Sequence, residues 1–305
     1  MKNKPYLLKE NIKASISYLS KNAAIDSINI DPYWPKWDSP WWHILLLYEI
    51  GEIKQVPFSI MDTLIDALNS HYLRFFPLYE DEIPAGKDPY RHIACHCQLG
   101  CVYQFLNAYY DDVDSLIPWI RPWFIKYQLP DGGLNCDEEA YTKSQKSSIV
   151  SSLPAFEAIL SCAKNGISKE EEIFLDKGAN YLIKHRLIYR TNGEIMDKDF
   201  LKLQFPRFYS YDILRGLSFL YNWRKIRNKN NADETIDFGL NFIKQKLSDG
   251  KLKVERADFA NDQTLFLTDF NKWIWKRTTT FSLLDNVGKI GNDSAFLTEI
   301  LQKLR

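Results

Sequence analysis

Apolar residues along this chain fall into two alternating kinds of segment. In the first kind nearly every face of a helix would be apolar: 40–50, 88–109, 144–163, 206–223 and 277–289. A helix that is hydrophobic all round is a buried one. In the second kind the apolar residues form a single stripe. Segment 58–76 places Ile60, Met61, Leu64, Ile65, Leu68, Tyr72 and Phe76 at helical spacing. Segment 112–127 does so with Leu116, Trp119, Ile120, Trp123 and Tyr127, and 235–247 with Ile236, Leu240, Ile243 and Leu247. Segment 170–187 is a looser case, and 4–19 and 294–304 serve as end members. Such helices lay one stripe on a core and turn the rest to water.

The alternation returns with a period of roughly 50–70 residues, the signature of a repeat architecture. Asp131-Gly132-Gly133, Asn192-Gly193 and Asp249-Gly250 follow three of the outer helices, spaced 61 and 57 residues apart (192 less 131, 249 less 192). Each favours a positive φ and a chain reversal. Five inner helices and about five or six outer ones read as an all-α fold, a closed double ring or α/α toroid, in one domain over 1–305. An open solenoid is the alternative; it needs polar capping repeats, and neither end of the pattern is distinctly polar.

Charge narrows the function classes. With 39 basic and 39 acidic side chains the formal net charge is zero, which argues against a nucleic-acid binder working through bulk charge. The longest apolar run, 44–48, is too short to cross a bilayer. The N-terminus shows no apolar signal region. Five cysteines, three of them crowded at Cys95, Cys97 and Cys101, suit a reducing compartment. The expectation is a cytoplasmic protein without a transmembrane segment, acting on a small molecule. A protein partner is left open.

Segment 121–134, Arg-Pro-Trp-Phe-Ile-Lys-Tyr-Gln-Leu-Pro-Asp-Gly-Gly-Leu, resembles the repeat of squalene-hopene cyclases and protein prenyltransferase β subunits. That repeat has an aromatic-aliphatic outer helix, then Gln, then Asp-Gly and an aromatic residue. Degenerate copies stand at 178–195 and 239–252, where Gln245, Asp249 and Gly250 persist. Leu134 holds the place of the usual Trp. The resemblance spans about 40–290 as architecture and implies the toroid; for chemistry it implies less, since this fold hosts many activities. The Asp-x-Asp-Asp motif with which such cyclases protonate an alkene is absent. Asp111-Asp-Val-Asp114 has another order and reads as a helix cap.

In a double ring the inner-helix mouths converge on a central cavity, the default place for a ligand. Collected there are Trp34, Trp37, Asp38, Trp41, Trp42 and His43, then Arg91, His92 and His96, and from 135–141 Asn135, Cys136, Asp137, Glu138 and Tyr141. Arg207, Tyr209, Tyr211 and Asp212 follow, and Trp273, Trp275 and Lys276 close the set. Aromatic walls suit an apolar or cationic species, and the same residues also read as filler of the ring. The reading that follows is an enzyme on a small, largely apolar, isoprenoid-like substrate. Trp41, Trp42, Tyr209 and Tyr211 hold the substrate, and Arg91 or Arg207 binds an anionic end. Asp137 or Glu138 transfers a proton.

His92 and His96 stand four apart on one helical face, and Cys136 with Asp137 would complete a tetrahedral site for an optional zinc. Prenyltransferases hold zinc with Asp, Cys and His, and lanthionine cyclases with two Cys and a His; the order and spacing here match neither. Asp212 and Arg215, three apart, can pair. Two other readings stay open. One is a carbohydrate-active toroid enzyme of glycosidase or epimerase type, using carboxylates such as Asp137 and Asp212. The other is a non-catalytic binding toroid.

Overall fold

The structure is a computed structural model, and it describes residues 4–70, 95–137, 139–164, 166–260 and 263–304. In chain order the helices are α1 (Lys4–Leu19), α2 (Asn22–Ile30), α3 (Pro40–Glu49), α4 (Phe58–Ser70), α5 (His96–Tyr109) and α6 (Ile120–Lys126). Then come α7 (Ile149–Cys162), α8 (Lys169–Lys184), α9 (Ile213–Arg227), α10 (Asp233–Lys244), α11 (Ser282–Val287) and α12 (Ala295–Gln302). Four short strands accompany them: β1 (Leu252–Lys253), β2 (Gln263–Leu267), β3 (Trp273–Arg277) and β4 (Asp293–Ser294). The chain is therefore mostly helical, with two small antiparallel sheets, β1 on β4 and β2 on β3, that an all-α reading does not contain. Among the described residues no helix is long and apolar enough to cross a membrane.

Several helices are shorter than the pattern predicts, each for a local reason. Pro118 precedes α6, which starts only at Ile120, and Asp112 caps a turn by accepting from Ser115 N at 3.2 Å. Ser148 accepts from Ser151 N and so starts α7 at Ile149 rather than 144. Asp212 does the same for α9 by accepting from Arg215 N at 2.8 Å, leaving 206–212 as a loop. The inner helix expected over 277–289 survives only as α11. The run Thr278, Thr279, Thr280 is β-branched and disfavours helix. The Thr279 hydroxyl instead donates to Asp38 Oδ2 at 2.7 Å and that of Thr280 to Asp285 Oδ1 at 2.6 Å. Residues 263–277 form a hairpin, turned at Asn271 with φ 55°.

The described residues pack as two compact units. One comprises the described residues within 1–93, 105–118 and 258–289. In it α1 packs on α11, α2 on α4, and α3 on both α1 and α2. Every side chain from Pro40 to Leu47 of α3 is buried. Its aromatic centre joins Trp37 to Trp42 at a 4.4 Å ring separation and Trp41 to Phe105 at 5.7 Å. The indole N–H of Trp42 donates to Tyr33 O at 3.2 Å, so that ring is buried with its polar atom satisfied.

The other unit comprises 94–104, 119–257 and 290–305. Here α7 packs on α8, α9 on α10, α7 on α9 and α6 on α8. The start of α5 lies directly on α7: a Cβ on Gly100 would stand 2.3 Å from the Pro154 carbonyl carbon. Gln104 bridges the two helices by donating to Gly100 O at 3.1 Å and Pro154 O at 3.0 Å. Arg215 of α9 does not pair with Asp212. Its guanidinium meets Glu157 of α7 at 2.6 Å and donates to Phe208 O and Ser210 O at 2.8 and 2.7 Å. Burial would raise the Glu157 carboxyl, and the Arg215 charge outweighs that and holds it below the usual range. A buried pair of this kind is tolerated because each guanidinium nitrogen has an acceptor.

Candidate functional site

The turn after α6 builds one wall of a pocket of about 700 Å³ in the second unit. Gly132 sits at φ 103°, and a Cβ there would lie 2.5 Å from Lys177 O, so only glycine lets the turn approach α8. Asp131 then reaches the stretch before α7. It accepts from Ser147 N at 2.9 Å, from the Ser147 hydroxyl, and from Gly133 N at 3.4 Å. Tyr181 of α8 donates to Ser147 O at 3.2 Å and secures the same stretch from the other side.

The pocket lining mixes apolar and polar side chains, Ser147, Ser148, Thr191 and Asn192 among the latter, and its exposed charges are basic. Ile149, Tyr181 and Phe200 are buried in its lining, while Lys146, Lys184 and Arg190 stand exposed around it. Among the described residues none of these three cations forms an ion pair, and the one carboxylate in the lining, Asp131, is already occupied by three donors. A single-sign rim around low-dielectric walls concentrates counter-ions. His185 also lines the pocket, and its Nδ1 donates to Tyr189 O at 2.8 Å, which fixes the ring. The volume lies inside the ordinary range for small-molecule sites.

A second concentration of chemistry lies at the start of α5. Cys95 immediately precedes the helix and Cys97 is its second residue. Cys136 is brought to them by the loop before α7, where its N–H donates to Ser151 Oγ at 3.1 Å. The Sγ atoms of Cys136 and Cys97 are 3.6 Å apart, and the Cys95 thiol is near enough to influence the same sulfur. The Cys95 thiol first and the Cys97 thiol second hold Cys136 well below the usual thiol range; burial and its partners push Cys95 above it. All five cysteines are free.

His96, fully buried, is engaged at both nitrogens. Trp123 Nε1 donates to Nδ1 at 3.0 Å, so Nε2 carries the proton and faces Tyr141 Oη at 2.7 Å. Tyr141 passes the chain on by donating to Asn135 O at 3.0 Å. The zinc set expected from sequence is not assembled by the described residues: His92 lies outside them, His96 has no ring nitrogen left over, and no three His, Cys, Asp or Glu side chains among them are disposed to hold a metal ion.

The other residues singled out in the sequence land as follows. Asp137 is exposed and accepts from Glu139 N at 3.0 Å. Asp212 is buried, accepts from Gln204 N at 2.9 Å as well as capping α9, and is raised by burial. Tyr211 is buried with its hydroxyl donating to Leu187 O at 2.8 Å, whereas Arg207 and Tyr209 are half-buried. Trp41 and Trp42 are enclosed in the core of the first unit. Arg91 and Glu138 lie, like His92, outside the described residues. The pocket residues Lys184, His185 and Arg190 escaped the sequence reading, because Lys184 and His185 close α8, where basic residues are the ordinary complement of the helix dipole, and Arg190 is a single charge before a turn. Compared with protein-family models, with curated proteins and with solved structures, the chain matches none.

Proposed function

We propose that this chain is an α/α toroid protein that receives a small ligand with an apolar body and an anionic end in the pocket beside Asp131. The stacking of α5 on α7 and of α7 on α9, with α6 on α8, supports the double-layered arrangement. The pocket itself carries the functional reading: its buried lining residues are Ile149, Tyr181 and Phe200, and its exposed Lys146, Lys184 and Arg190 form no ion pair among the described residues. The ligand class agrees with the apolar, anion-ended substrate read from the sequence, while the residues that receive it are different ones. Enclosed indoles such as Trp41 and Trp42 offer a ligand no room.

Calorimetric titration with octyl phosphate, and with octanol and inorganic phosphate as its separated halves, tests this. Octyl phosphate binds, each half binds far more weakly, and Lys184→Ala or Arg190→Ala costs about tenfold in affinity, the effect of roughly 1.4 kcal/mol from one lost charge-assisted contact. Equal affinity in the parent and both variants, or no binding of octyl phosphate, overturns the reading.

A further inference from the structure

We propose that Cys97 and Cys136 form a reversible dithiol–disulfide pair oxidised by hydroperoxides, with Cys136 the sulfur that reacts first. The pair is set by geometry. The two Sγ atoms stand 3.6 Å apart, so side-chain rotation brings them to the bonded separation of about 2 Å. As a residue Cys136 is half-buried whereas Cys97 is buried, so of the two Cys136 is the more accessible. Cys136 Sγ lies 3.6 Å from the sulfur of Cys97 in the first turn of α5, and the positive end of a helix dipole favours a thiolate beside it. The direction in which Cys95 and Cys97 shift Cys136 agrees with that order.

The remaining cysteines are placed differently. Cys101 donates to Phe208 O at 3.5 Å, and Cys162 contacts Tyr103 Oη at 3.4 Å and Ala158 O at 3.5 Å; both are buried among helices. Cys95, Cys97 and Cys136 form one mutually interacting cluster, with Cys101 beside Cys97 at its edge.

The chemistry balances with the peroxide as oxidant. The Cys136 thiolate attacks one peroxide oxygen; the S–O bond forms, the O–O bond breaks, and the leaving oxygen departs as water or alcohol after taking the Cys97 proton. The Cys97 sulfur then attacks Cys136; the S–S bond forms, the S–O bond breaks, and the hydroxide leaves as water by taking up from solvent the proton that Cys136 released on becoming a thiolate. Two thiols are oxidised by two electrons and one peroxide is reduced by two.

The test is a stoichiometric dose of hydrogen peroxide on the folded chain, read by thiol titration and by peptide mapping without reductant. Two of the five thiols disappear, the linked peptides are those of Cys97 and Cys136, and a phosphine reductant restores both. Cys97→Ser keeps Cys136 reactive but blocks the link, so dimedone traps a sulfenic acid on Cys136. Cys95→Ser still forms the link. Circular dichroism of each variant confirms folding, and the wild-type map stands without them. A link between Cys95 and Cys136, or retention of all five thiols in folded wild type, overturns the proposal.

Discussion

His96 is held by Trp123 on one side and Tyr141 on the other, with no water-facing nitrogen to accept a second proton. Burial pushes its pKa down to about 4, against about 6.5 in an unfolded chain. The unfolded state therefore binds more protons over that interval. Stability contributed by this group is complete above about pH 6.5 and is lost as pH falls toward 4, by about 3 kcal/mol at most. His43 is displaced in the same direction by burial and adds to the trend. Urea denaturation at neutral pH and near pH 4.5 measures the loss, and His96→Asn should flatten it. An equal pH dependence in that variant would assign the loss to other groups.

The contact between α5 and α7 is backbone against backbone, and Gly100 makes it possible. Gly100→Ala inserts a methyl group where Pro154 C and Ala155 N already stand, at 2.3 and 2.5 Å, so one helix has to shift. We expect a loss of about 3 kcal/mol from overpacking. Gly51→Ala is the contrasting change: nothing lies within 4 Å, but φ is 82°, and strain alone costs about 1 kcal/mol. Denaturant midpoints of the two variants separate crowding from conformational strain, and an equal loss in both would remove the crowding argument. The same elements explain which boundaries were legible. Stripes such as Ile60, Met61 and Leu64 declare α4 because helical periodicity needs only neighbours in sequence. The hairpin 263–277 escaped because Phe266, Trp273 and Trp275 resemble the aromatic content of the helices, and two five-residue strands are too short to establish a period of their own.

Each unit of the molecule is assembled from segments distant in the chain. In the first unit α1 packs on α11, and Asn11 Nδ2 donates to Ser282 O at 3.3 Å. A fragment ending at residue 118 keeps α1 to α5 but loses α11 and the hairpin that belong to the same unit. Such a fragment should lack a cooperative thermal transition by near-ultraviolet circular dichroism, since its apolar faces have lost their cover; a sharp transition would show that 1–118 folds by itself.

The alternation of buried and striped segments, the glycine turns at Gly132, Gly193 and Gly250, and the gathering of thiols near 95–101 can all be read along the chain. These depend on local periodicity and on φ angles that few residues adopt. Tertiary structure alone decided that Arg215 would meet Glu157, 58 residues away, rather than Asp212 three residues before it. It likewise decided that Cys136 would meet Cys97, and that Lys184 and Arg190 would line one pocket with Ile149 and Phe200. Such partners are chosen by which helix faces pack together. Burial forces each polar group to find whichever partner lies within reach in space, and that distance is not written in the spacing of residues along the chain.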